Sequence, residues 1–119
     1  MDPTEIQMCV ADCLLDDDVE SLELIMQALN DEDEAGWRVA RGQEFTVDEV
    51  RAALLALAAA GQVTPCAEQA PDFRLQPVPG REIGVKIPWE SLWFHLEPKG
   101  RKMFTQWWEN QGRHQYPRP

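Results

Sequence analysis

The sequence predicts a small α+β domain: three to four helices packed as a bundle against a small antiparallel β-sheet. Three observations carry that expectation. Apolar residues recur at intervals of three and four in several separate stretches, the spacing of amphipathic helices. Prolines at 65, 71, 77, 79 and 88, with Gly80 and Gly84, forbid long helices between 65 and 90. Leu92-Trp93-Phe94-His95-Leu96 is an aromatic, apolar run suited to a strand, and Pro98 just beyond it suits a helix start. A chain of 119 residues supplies one hydrophobic core. With 44% hydrophobic residues and five tryptophans it has the composition of a globular protein.

The elements follow in chain order. Pro3 opens a first helix whose inner stripe is Ile6, Val10, Cys13 and Leu14, with Cys9 beside it. The run Asp16-Asp17-Asp18 breaks the chain, and Asp17 or Asp18 is expected to cap a second helix through Val19, Leu22, Ile25, Met26 and Leu29. Asn30, which tolerates a left-handed conformation, is expected to end it. Trp37-Arg38-Val39-Ala40-Arg41 alternates and reads as a short strand. Thr46 with Glu49 three residues on is a capping box, opening a helix with Val47, Val50, Leu54 and Leu57 inward and Gly61 as its stop.

Val63-Thr64 then leads into an extended piece that Pro65 is expected to limit. Phe73-Arg74-Leu75 and Ile83-Gly84-Val85-Lys86-Ile87 read as further short strands. A last helix follows Pro98, with Met103, Phe104, Trp107 and Trp108 inward, and Gly112 is expected to end it. The expectation is thus one domain over residues 1–112 and a fraying polar tail over 113–119.

The formal charge of -10 is unevenly distributed. Residues 1–36 hold 12 acids and no base, whereas the rest of the chain carries 9 acids and 11 bases, a balance of +2. The acidic field therefore belongs to the N-terminal part, where it repels nucleic acid and favours basic surfaces. No stretch of about 18 apolar residues is present, so a membrane span is not expected. The first residues lack the basic and apolar regions of a signal peptide, and three cysteines are too few and too odd for a disulfide framework. Both point to a reducing cytoplasm.

Catalytic and cofactor signatures are absent. Cys9, Cys13, Cys66 and His95 lack the paired spacing of a structural zinc site, and the thiols read as core residues. No phosphate-cradling glycine loop occurs, and neither His95 nor His114 belongs to a nucleophile motif. The expectation is a non-enzyme without cofactor or metal.

Two segments carry a resemblance. Thr46-Val47-Asp48-Glu49-Val50-Arg51, continuing through Leu54, Leu57, Gly61 and Val63, looks like the third helix of a winged helix-turn-helix. Phe94-His95-Leu96-Glu97-Pro98-Lys99-Gly100-Arg101 is similar to the end of the wing in regulators of the MarR and PadR type, where a strand leads straight into a final helix. Glu97 stands where those regulators have a capping Thr. The resemblance implies a winged-helix-like domain and raises the possibility of DNA binding through the third helix and the wing. Arg51 is then the base reader, and Arg74, Arg81 and Lys86 the phosphate contacts. Against this, the helix offers Asp48, Glu49 and a run of alanines where bases would be read.

The favoured expectation is a protein-protein interaction module, with a basic partner or a second copy meeting Asp16, Asp17, Asp18 and Glu20 and the exposed part of Trp107 and Trp108. A DNA-binding transcriptional regulator is the alternative.

Overall fold

The computed structural model describes residues 1–33 and 36–116. Among the described residues the main helices and strands follow in the order α1 (Pro3–Cys13), β1 (Glu20–Ser21), α2 (Leu22–Leu29), α3 (Trp37–Arg41), α4 (Val47–Ala59), β2 (Val63–Gln69), β3 (Arg74–Pro77), β4 (Trp93–Leu96) and α5 (Pro98–Trp107). The fold is α+β, with one antiparallel sheet in the order β1-β4-β2-β3. Glu20 faces Phe94, Val63 faces Leu96 and Gln69 faces Arg74.

Capping explains where the helices begin. Asp2 accepts the Glu5 N–H at 2.8 Å, and Pro3 needs no N–H partner in the first turn. Thr46 and Glu49 form the expected box at the head of α4, and Gly61 stops that helix at φ +73°. Ser21 caps α2 by accepting from Leu24 N–H at 3.2 Å, so neither Asp17 nor Asp18 has that role, and Val19 lies outside the helix. Two residues of strand pairing with β4 claim Glu20 and Ser21 first.

Helix α1 packs along α4 and α5, and its Cys9, Val10 and Ala11, with Leu14 just beyond its end, are fully buried. Val50, Leu54 and Leu57 of α4 and Phe94 of β4 meet them in one continuous core. Burying each large side chain contributes about 1.5–3 kcal/mol.

Several expectations are corrected. Residues 37–41 are helical rather than extended. Trp37 alone of the five is buried, and its indole N–H donates to Asp12 Oδ2 at 2.8 Å, so one tertiary anchor outweighs a short alternating pattern. Asn30 is not left-handed. Its side-chain amide instead donates to the Phe45 carbonyl at 3.0 Å and accepts the Phe45 N–H at 2.7 Å, closing the α2–α4 connection like a strand pair.

Strand β2 runs straight through Pro65. The Pro65 carbonyl accepts from Val78 N–H at 2.9 Å, on the side where β3 runs out, so the missing proline donor lies at the end of a ladder and costs little.

Residues 83–87 form a tight loop, not a strand. A 3-10 turn over Gly80–Glu82 precedes it, the Glu82 carbonyl accepts three backbone N–H groups, and Gly84 at φ +75° reverses the chain. A second 3-10 turn, Trp89–Ser91, leads into β4.

Gly112 does not end the last helix. A π turn over Trp108–Gly112 and a final turn over Arg113–Gln115 continue it, after which Tyr116 returns to the core. A Cβ on Gly112 would lie 2.6 Å from the Trp107 ring and 2.7 Å from that of Trp108, so this glycine serves close packing. Pro117 to Pro119, the remainder of the expected tail, lie outside the described residues.

Candidate functional site

The acidic loop after α1 is held by two side chains from the C-terminal part. Arg101 Nη2 donates to the Leu15 carbonyl at 2.8 Å. His95 Nδ1 lies 2.7 Å from the Asp18 carbonyl. A carbonyl only accepts, so this nitrogen carries the proton. Asp16, Asp17 and Asp18 are thus exposed on an anchored segment rather than on a loose one.

Glu20 is half-buried at the end of this loop. Burial first, then hydrogen bonding to and repulsion by Asp17, push its carboxyl above the ordinary range. Its Oε2 is buried without a hydrogen-bond partner among the described residues. Asp17 and Glu20 line a cavity of about 290 Å³ with Cys13, Ile25 and Asp31, and Leu24, 45% exposed, stands at its side. The part played by Asp31 and Leu24 was not legible in the sequence, because α2 had to be oriented before its outer face was known.

Trp107 and Trp108 do not form a common exposed face. Trp107 is buried and Trp108 half-buried. Both indoles lie 6.3 Å from that of Trp37, and Phe104 and Tyr116 complete the cluster. Adjacent helical residues ordinarily diverge; the π turn that begins at Trp108 changes the local winding.

The cations of the alternative reading are spread over three elements. Arg74 on β3 is exposed and pairs with Asp72 at 3.4 Å. Lys86, in the 83–87 loop, pairs with Glu82 at 3.8 Å. Arg81 is exposed in the first 3-10 turn. Two more bases are committed to structure: Lys99 donates to the Ala60 carbonyl at the end of α4 at 2.8 Å, and Arg101 holds the acidic loop.

Arg51 is half-buried on α4, not displayed on its outer face. Its guanidinium lies over the Trp89 ring, 5.3 Å from the centroid. The two residues share the wall of a groove of about 410 Å³ formed by α2, the start of α4 and the Trp89–Ser91 turn. Leu22, Met26 and Val47 give it apolar walls, while Glu23 and Glu90 add acid; Val47, expected inward with Val50, is instead 41% exposed at the head of α4, where the groove leaves it uncovered. Thirty-eight positions separate Arg51 from Trp89, so no local pattern announced their stacking.

Glu97 heads α5 without capping it. Its carboxylate accepts from Thr64 Oγ1 at 2.6 Å instead, tying the start of α5 to β2. Among the described residues no group of three or more His, Cys, Asp or Glu side chains is placed to hold a metal ion. No helix among them is long and apolar enough to cross a membrane. Comparison with known proteins finds no matching family model, no matching curated protein and no matching solved structure.

Proposed function

We propose that the chain is a non-enzymatic protein-interaction module on a winged-helix-like scaffold, and that its acidic face, formed by the 16–20 loop and α2, receives a basic partner. The scaffold reading is supported by β4 passing into α5 across Glu97 alone, the strand-to-helix step on which the resemblance rests. The long stretch between β2 and β4 is taken up by an added strand, β3, and two 3-10 turns.

One observation carries the functional reading. A half-buried carboxyl, Glu20, is held against Asp17 with one oxygen unpartnered among the described residues, in a cavity lined by Asp31 and beside exposed Leu24. A lysine or arginine side chain entering beside Asp17 would relieve the repulsion between like charges, while an apolar neighbour would cover Leu24.

The test is calorimetric titration with a basic amphipathic lysine–leucine peptide, beside a short random-sequence DNA duplex, at about 150 mM salt. The expected result is peptide binding that weakens in Asp17→Asn and Glu20→Gln and no measurable binding to the duplex. Tight, salt-sensitive duplex binding overturns the proposal, as does peptide binding indifferent to both substitutions.

The second reading, a DNA-binding transcriptional regulator, is favoured by the exposed cations Arg74, Arg81 and Lys86 on the stretch between β2 and β4. It requires a dimer with the two α4 helices about 34 Å apart. The engagement of Arg51 by Trp89 and the acids Asp48 and Glu49 at the head of α4 weigh against it.

A further inference from the structure

The groove around Arg51 has a chemistry that the acidic face does not use. Arg38, Arg41, Arg74, Lys86 and Arg113 each pair with a carboxylate, whereas among the described residues Arg51, like Arg81, Lys99, Arg101 and Lys102, does not. The Arg51 Nε is buried and lacks a hydrogen-bond partner among the described residues. Trp89 lies under the guanidinium and accepts none of its in-plane hydrogen bonds. One donor of Arg51, the Nε–H, is therefore unsatisfied, beside a concave surface whose apolar walls include Leu22, Met26 and Val47.

We propose that this groove binds a small monocarboxylate with an apolar body, its carboxylate on Arg51 and its apolar part against Met26, Val47 and Trp89. A guanidinium presents a planar fork of donors that matches a carboxylate, and the bond is strengthened by charge. About 410 Å³ falls in the range of small-molecule sites and is too little for a folded partner. Glu23 and Glu90 on the same walls repel a dianion more strongly than a monoanion, whose single charge Arg51 neutralises. The groove involves none of Asp16, Asp17, Asp18 or Glu20, so this site stands or falls independently of the acidic docking face.

Nitrogen-15 correlation spectra of the full chain test the proposal, because the Arg51 Nε–H and the Trp89 indole N–H each give their own signal. The probes are 3-phenylpropanoate, its neutral amide and phenyl phosphate, each titrated to ~10 mM, which detects millimolar affinity. The acid is expected to move both signals, with the amide and the dianionic phosphate binding roughly tenfold or more weakly. Arg51→Gln is expected to erase the difference between acid and amide. The wild-type comparison of acid with amide needs no variant, so a folding defect in Arg51→Gln leaves the test intact. Equal binding of acid and amide, tighter binding of the phosphate, shifts that map away from Arg51 and Trp89, or no shift at all would each overturn it.

Discussion

Removing the charge of Glu49 tests how the head of α4 is held. The Glu49 carboxylate pairs with Arg41 Nη2, whose side chain is only 6% exposed, and accepts from Thr46 N–H at 3.0 Å and Thr46 Oγ1 at 3.1 Å. Arg41, above all, holds its pKa down at about 2 from the ordinary 4.5. That gap corresponds to about 3 kcal/mol favouring the ionised group in the folded chain. Solvent reaches 27% of the Glu49 side chain, so about 2 kcal/mol is the safer figure. The sign follows from the lowered pKa. The contribution is complete above pH ~4.5, about half gone near pH 3 and lost as pH falls through about 2.

Glu49→Gln removes the titrating group and keeps the shape. It also strands the buried Arg41 guanidinium, which adds a loss that does not depend on pH in this range. The slope therefore carries the test. Urea unfolding of wild type and Glu49→Gln at pH 7, 5, 4 and 3 is expected to show the variant less stable by at least about 2 kcal/mol at pH 7. The gap should narrow by about 1 kcal/mol or more at pH 3. A gap of the same size at pH 7 and pH 3 would refute the assignment of the ion pair as the anchor of α4.

Two further substitutions read other joints of the fold. Asn30→Ala removes both hydrogen bonds to the Phe45 backbone and leaves that N–H and carbonyl without their partner. A loss of about 2–4 kcal/mol is expected in urea unfolding, and a change below about 0.5 kcal/mol would show that water replaces the amide. Gly100→Ala places a Cβ 2.3 Å from the Gln62 carbonyl oxygen and 2.7 Å from Leu96 Cδ1, so α5 must move away from the α4–β2 turn and the end of β4. The melting temperature is expected to fall by an amount equivalent to about 2 kcal/mol or more, and an unchanged value would mean that this contact is looser than described.

Legibility varied from element to element for physical reasons. The Thr46–Glu49 box and Gly61 were readable because a cap is a contact between residues three or four apart, complete within the local sequence. Pro98 marked the head of α5 for the same reason, since its fixed φ acts on its own residue. Gly112 misled because glycine serves two ends, as a helix stop and as a place where rings approach the backbone, and only the positions of Trp107 and Trp108 distinguish them. Residues 37–41 misled because five residues hold too little periodicity to separate helix from strand. Asp16, Asp17, Asp18 and Glu20 were found as a charge run, yet the distinction between the exposed aspartates and the half-buried Glu20 came only from the pairing of β1 with β4.

By itself the sequence determined the α+β class, the Thr46–Glu49 cap, most of the inner stripes of α1, α2 and α4, and the concentration of acid in the first 36 residues. These are properties of composition and of short-range spacing, and they hold whatever the chain packs against. Tertiary structure decided what the charges do. It laid Arg51 over Trp89, turned Lys99 and Arg101 onto helix-end and loop carbonyls, and brought Asp31 into the cavity with Asp17 and Glu20. The reason is that a long side chain reaches several ångströms in any direction, so its partner is set by which elements the core brings alongside it, and that choice is not written within a few residues of the charge.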